Sequence, residues 1–134
     1  MRLVVNIDVP AIEPAVAFYR AALGLELSRM VSEDVAELAG ATATIYLLRN
    51  AAGSRPPPDS AAARTYGRHW TPVHLDFVVD AVAAAAKRAV AAGAIQESEC
   101  VCWNGSKCIT FADPFGHGFC LIEFDGDGYG RNES

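Results

Sequence analysis

The chain has 134 residues, of which 51% are hydrophobic and 20% are charged, so it is long enough and apolar enough to bury one compact core. Its formal net charge of −5, with no cluster of Lys or Arg, argues against a binding surface for nucleic acid or an anionic membrane. The sequence contains neither a signal-peptide pattern nor an apolar run of transmembrane length. We therefore expect a cytoplasmic protein whose partners are small molecules or other proteins.

The first half of the chain reads as one strand, one helix and three further strands. Alternation over residues 3–9 predicts a strand with a partly polar face formed by Val4, Asn6 and Asp8. Helical spacing over 13–23, ended by Gly24, predicts a helix. Three strand-like runs follow at 25–31, 34–39 and 42–49.

The second half repeats this order after a proline-rich connection, residues 50–72, which we predict to be a loop. Residues 73–79 form a strand with His74 and Asp76 on its partly polar face. Asp80 is suited to cap the Ala-rich helix 81–92, which ends at Gly93. Strands are predicted at 95–103, 106–112 and 118–124, with a tight turn at Asp113-Pro114-Phe115-Gly116 between the last two.

The chain is thus two copies of one unit, offset by about 70 residues. We predict an α+β fold in which two βαβββ modules form a cupped, mostly antiparallel sheet around one cavity. The single domain 1–134 divides into a first module at 1–49, the loop at 50–72, a second module at 73–126 and a tail at 127–134.

These modules resemble the vicinal oxygen chelate superfamily, which includes glyoxalase I, the extradiol dioxygenases and the bleomycin-resistance proteins. The resemblance covers nearly the whole chain and rests on short motifs in a fixed order: Ala17-Phe18-Tyr19, Leu23-Gly24-Leu25, His74-Leu75-Asp76-Phe77-Val78, Gly93-Ala94, Asp113-Pro114-Phe115-Gly116 and Leu121-Ile122-Glu123. It implies the fold, a shared pocket and a homodimer. It does not imply one activity, because this fold carries many chemistries.

The resemblance also gives four inward positions at which the metal enzymes of the superfamily hold their ion. They fall on Val4, Tyr46, His74 and Cys120, of which His74 is a typical ligand. Glu123 lies three residues beyond Cys120 and therefore on the opposite face of its strand. If a metal binds, we expect His74 with Asp8 and Cys120, a donor set that suits zinc better than magnesium or calcium.

Two functions follow from these positions. The first is a metal-free small-molecule binder that acts by sequestration and needs no cofactor. The second is a metal-dependent lyase, isomerase or dioxygenase similar to glyoxalase, with an atypical divalent metal site at His74. A pure scaffold would tolerate apolar substitutions in the pocket. The expected pocket groups are Asn6, Asp8, Tyr46, His74, Asp76, Trp103 and Cys120.

Several other side chains have a structural and a functional interpretation. We expect the four cysteines to be reduced and to act as small buried hydrophobes, although Cys100-Val101-Cys102 is also a weak zinc pattern. A Cys120 nucleophile with His74 as its base remains open. The loop residues Arg55, Arg64 and Arg68 either solvate the loop or reach over the cavity toward an anionic ligand. His117 is expected to be exposed in its turn.

Overall fold

The computed structural model of the chain describes residues 1–57 and 62–130. The predicted loop 50–72 and the predicted tail 127–134 therefore lie partly outside the described residues, at 58–61 and at 131–134. The chain forms two compact units, Met1–Gly67 and Arg68–Ser134. The first part of the predicted loop, up to Gly67, belongs to the first unit, and residues 68–72 belong to the second.

The first unit is a βαβββ module, as the sequence predicts. Its elements are β1 (Val4–Val9), α1 (Ile12–Leu23), β2 (Glu26–Ser32), β3 (Val35–Ala39) and β4 (Thr44–Arg49). The strand order is β1-β4-β3-β2, with β1 parallel to β4 and the other pairs antiparallel. Apolar side chains of α1 and of one sheet face form the core: Val9, Ile12, Ala15, Phe18, Tyr19, Ala22, Leu38, Ile45 and Leu47.

The second unit repeats this architecture with a divided strand. Its elements are β5 (Leu75–Val78), α2 (Val82–Ala92), β6 (Ile95–Gln96), β7 (Val101–Trp103), β8 (Ser106–Ala112) and β9 (Gly118–Phe124). The strand order is β5-β9-β8-β6, with β7 also pairing with β8, and β5 runs parallel to β9. The single strand predicted at 95–103 is interrupted at 97–100, where Glu97 and Ser98 instead bond to Thr110.

Both helices end where the glycines predict. Gly24 and Gly93 adopt φ values of 68° and 118°, a left-handed conformation that residues with a Cβ avoid. The start of α2 differs from the prediction, because Ala81 rather than Asp80 is the N-cap residue and no side-chain cap bond forms there. The backbone N–H of Val82 donates instead to Glu123 Oε1 at 2.9 Å. A carboxylate from β9 thus satisfies a free N–H at this helix end.

The buried face of α2 is narrow. In α2 the buried residues are Val82, Ala86 and Ala89, whereas Val90 is 47% exposed. In the described residues no helix is long and apolar enough to cross a membrane.

Candidate functional site

The second unit carries a polar row on the sheet face opposite to α2. Asp76 in β5 is paired with Cys120 in β9, and Cys120 is paired with Thr110 in β8. Because paired residues of neighbouring strands point to the same side, these three side chains share one face. The alternation predicted for β9 is confirmed, since Phe119 and Leu121 pair with Phe111 and Ile109 on the other face.

His74 completes this row just before β5 begins. Its Nε2 lies 3.2 Å from Asp76 Oδ1, and each side chain is about one third exposed, at 32% and 35%. The ring of Trp70 lies against that of His74, with centroids 5.0 Å apart. Ligand atoms of His74, Asp76 and Cys120 all lie within 4.8 Å of one another. The carboxylate of this cluster belongs to Asp76.

Cys120 is buried, and its thiol lies 3.4 Å from Thr110 Oγ1. Burial raises the pKa of the Cys120 thiol above its usual value. Burial, with the adjacent Cys120 thiol, also raises the pKa of Cys108 to about 12. Both groups are therefore neutral thiols at pH 7, which argues against Cys120 as a ready nucleophile.

The open sheet face of the first unit carries a second polar row. Arg29 pairs with Glu37, Glu37 with Tyr46, and Tyr46 with Asn6, so the row crosses all four strands. The Glu37 carboxylate accepts from Tyr46 Oη at 2.7 Å, from Ser28 Oγ at 2.9 Å and from Arg29 Nε at 3.3 Å.

These bonds fix the protonation of the row. The Tyr46 hydroxyl, followed by that of Ser28, holds the pKa of Glu37 below its usual range. The hydrogen bond to Glu37 in turn raises the pKa of Tyr46. Tyr46 is thus a neutral phenol whose proton is directed at Glu37, and its oxygen lone pair remains available as an acceptor.

Asp8, on the same strand as Asn6, is bound by the connection that follows β4. Arg64 Nε donates to Asp8 Oδ2 at 2.7 Å, and Asn50 Nδ2 donates to Asp8 Oδ1 at 2.8 Å. Reciprocal backbone bonds between Gly53 or Ser54 and Arg64 hold the same segment. Arg64 is therefore committed to an ion pair within the first unit, and Arg68 forms a bidentate pair with Glu97 in the second. The expected reach of the two arginines over the cavity toward an anionic ligand stays a prediction.

Two further positions are separated from the His74 cluster. Trp103 shares the face of Cys120 but is aligned with Phe124, four residues along β9, which corresponds to about 13 Å. There it is 64% exposed and contacts Tyr129, with ring centroids 5.3 Å apart. Glu123 lies on the opposite face, as predicted, where it bonds to Val82.

Sequence reasoning missed the partners of several polar groups. Asp113 is buried and accepts from the backbone N–H groups of Phe115 and His117, and its Oδ2 lies 2.7 Å from His117 Nδ1. His117 is thus a partner of Asp113 and only one third exposed, at 32%. The spacing Asp-x-x-x-His could have signalled this pair. Glu37 gave no signal, because its three donors lie on two other strands, eight or nine residues away in sequence.

The sequence profile of the glyoxalase-like domain family matches residues 4–122. No curated protein matches the chain in sequence. Three solved structures show the same fold at low identity. A glyoxalase family protein from Bacillus cereus is 19% identical with a TM-score of 0.72, over 94% of this chain and 95% of that one.

The fosfomycin resistance protein FosX from Listeria monocytogenes is also 19% identical, with a TM-score of 0.69 and 92% of each chain covered. A glyoxalase/bleomycin resistance protein/dioxygenase family enzyme from Burkholderia phytofirmans is 19% identical with a TM-score of 0.68, over 90% of this chain and 95% of that one. The family match spans both βαβββ modules. The chain therefore belongs to the glyoxalase-like domain family, within the vicinal oxygen chelate superfamily.

Proposed function

We propose that this chain is a small-molecule-binding protein that acts without a metal, by binding or sequestering its ligand. The observation that carries the proposal is the polar row on each open sheet face, which within the described residues no helix of the same unit covers. A sheet face with hydrogen-bonding groups among apolar residues is suited to bind a ligand that is itself mixed in polarity. The proposed ligand groups are Asn6, Asp8, Tyr46, His74, Asp76, Trp103 and Cys120.

The state of the first-unit groups supports binding without a metal. Val4 has no donor atom, Tyr46 has its hydroxyl proton on Glu37, and both oxygens of Asp8 are bound by Arg64 and Asn50. A metal ion at these positions would have to displace hydrogen bonds of 2.7 to 2.8 Å. Sequestration requires affinity and involves no bond making or breaking.

A second candidate function rests on the His74 cluster. Imidazole, carboxylate and thiolate together suit zinc, which binds them at about 2.0 to 2.3 Å. Donor atoms within 4.8 Å of one another need small rotations to reach such an ion, so His74, Asp76 and Cys120 fit it. A bound ion would supply a Lewis acid for the oxygen atoms of a substrate. The protein would supply the three ligands, and the Cys120 thiol would have to lose its proton.

The experiment that separates the two functions begins with metal analysis of protein purified without chelator. It is followed by melting temperatures of the wild type and of His74→Ala with zinc, manganese, nickel or iron(II) added. The binder predicts no stoichiometric metal and no metal-dependent shift. Stoichiometric metal, or a shift that His74→Ala abolishes, would contradict the metal-free proposal and lead to glyoxalase and dioxygenase assays.

The ligand itself is sought by thermal shift with flat aromatic natural products and with fosfomycin. Fosfomycin is included because one protein of the same fold confers resistance to it. A true ligand raises the melting temperature of the wild type and of Asp80→Asn, which is a control outside both rows. The shift should fall in Asn6→Ala and His74→Ala. Equal shifts in all four proteins would contradict the proposed binding faces.

A further inference from the structure

The second unit exposes two of its four thiols. Cys100 and Cys102 are exposed, whereas Cys108 is partly buried and Cys120 is buried. The expectation that the cysteines act as small buried hydrophobes is therefore confirmed for Cys120, holds in part for Cys108 and is wrong for the other pair. The reason is that β7 lies on the sheet margin, where all three of its residues are exposed. Packing does not explain two exposed thiols within three residues.

The two thiols lie side by side. Cys102 is in β7 and pairs with Lys107 of β8, and Cys100 directly precedes the strand, two positions earlier. Residues two apart along an extended segment point to the same side. The Cys100 and Cys102 thiols are accordingly neighbours on that side, and burial together with the nearby Cys102 thiol raises the pKa of Cys100. Lys107 and Glu123 are their charged neighbours on that side.

The backbone geometry determines whether Cys100 and Cys102 can form a disulfide bond. Two residues of extended chain span about 6.6 Å between Cα atoms. A disulfide needs Cα atoms about 4.4 to 6.8 Å apart and Cβ atoms only about 3.5 to 4.5 Å apart. Side chains that stand parallel on one face keep their Cβ atoms too far apart for this bond. Closing it would break the pairing of Val101 with Cys108.

A metal ion spans the same gap without moving the backbone. Each sulfur would lie about 2.3 Å from a zinc-like ion, a spacing that two thiols at neighbouring positions on one face can reach by side-chain rotation. We propose that Cys100 and Cys102 form a surface site for a thiophilic cation of the zinc or copper(I) class. Binding forms two metal–sulfur bonds and releases the two thiol protons to solvent, with no change of oxidation state. Solvent completes the coordination.

This site is separate from the ligand-binding faces proposed above, and it can be tested without knowing their ligand. The probe is Cd²⁺, titrated into the reduced Cys120→Ser protein so that the His74 cluster is incomplete. Sulfur-to-cadmium charge-transfer absorption reports thiolate binding. We expect one equivalent of Cd²⁺ to bind. Adding Cys100→Ser or Cys102→Ser should weaken binding at least about tenfold.

Cys108→Ser in the same background is the matched control, because it also removes a thiol of this sheet but from the other side, and it should leave Cd²⁺ binding unchanged. Should the Cys120→Ser protein fail to fold, Cys120→Ala takes its place as the background. Unchanged binding in both Cys100→Ser and Cys102→Ser, or equal loss in Cys108→Ser, would overturn the proposal. A Cys100–Cys102 disulfide found by mass spectrometry after mild oxidation would overturn the geometric argument behind it.

Discussion

Gly118, the first residue of β9, lies where a side chain has the least room. A Cβ built there would lie 2.5 Å from Arg68 Nη2, and Arg68 is held by two 2.8 Å hydrogen bonds to Glu97. The neighbouring guanidinium, rather than the backbone angles of Gly118, therefore disfavours a side chain at this position.

Gly118→Ala should lower the free energy of unfolding by about 1 kcal/mol, since the guanidinium must leave Glu97 or the strand must shift. Urea denaturation measures this. Gly126→Ala is the control, because a Cβ there meets nothing within 4 Å. In a double-mutant cycle, Arg68→Ala should remove most of the cost of Gly118→Ala. Additive costs would show that Arg68 is not the obstacle.

Glu37 makes the stability of the first unit depend on pH in the acid range. Its folded-state pKa lies below the usual 4.5, chiefly because Tyr46 donates to it. A depressed carboxyl pKa contributes stability that is present above the unfolded-state pKa and is lost as the pH falls through the folded-state value. Glu37→Gln should flatten the loss of melting temperature below about pH 4.5. Glu33→Gln, at an exposed turn, should keep the wild-type slope, and a parallel change in both variants would contradict this role.

At the scale of an element, the N-terminus of α2 is capped by the carboxylate of Glu123 in β9. Glu123→Ala should cost about 1 kcal/mol of unfolding free energy, the usual value of a lost N-terminal cap. Asp80→Ala should cost much less, because Asp80 makes no cap bond. Lys107→Ala controls for the 3.8 Å pair that Glu123 also forms. Equal costs for Glu123→Ala and Asp80→Ala would contradict the observed cap.

The segment after β4 is held to the first unit by the ion pair between Arg64 and Asp8, and this pair can be tested. Arg64→Gln removes its ion pair with Asp8 and should speed proteolytic cleavage within residues 50–67, because the reciprocal bonds of Gly53 and Ser54 lose their support. Limited proteolysis with mass spectrometry identifies the cut sites. Arg49→Gln, which removes a 2.5 Å pair with Asp34 outside this segment, should not change cleavage there. Faster cleavage in both variants would indicate general destabilisation.

The elements themselves could be predicted from local patterns. Gly24, Gly93 and the turn at Asp113 are short-range signals, and alternation assigned the faces of β1 and β9 correctly. The interactions that were missed join residues far apart in sequence, as Glu123 with Val82 or Arg64 with Asp8. Periodicity cannot report such pairs. The exposure of Cys100 and Cys102 was missed because burial depends on which strand lies at the margin of the sheet.

At the scale of the whole molecule, homodimer formation stays a prediction that rests on the superfamily resemblance. The exposed apolar side chains of β2 are consistent with it, since this strand ends the order of its sheet and leaves Leu27, Met30 and Val31 exposed. Such edges are commonly covered in assemblies.

Light scattering should therefore give twice the mass of one chain, and Val31→Lys should shift the protein toward the monomer. Val90→Lys in α2 is a matched control, because Val90 and Val31 are both 47% exposed. A monomeric wild type would contradict the predicted homodimer. Equal effects of Val31→Lys and Val90→Lys would show that β2 does not form the dimer interface.

In each module the first strand pairs with the last, β1 with β4 and β5 with β9. This closure sets the order of events on the ribosome, where chains fold from the N-terminus as they emerge. The hairpin β2–β3 can form early. In contrast, β1 cannot pair until Thr44–Arg49 has left the exit tunnel, because those residues form its partner strand β4. A nascent chain that stalls before Thr44 presents β1 without the strand with which it pairs. In each module the first strand therefore stays unpaired until the last strand has emerged.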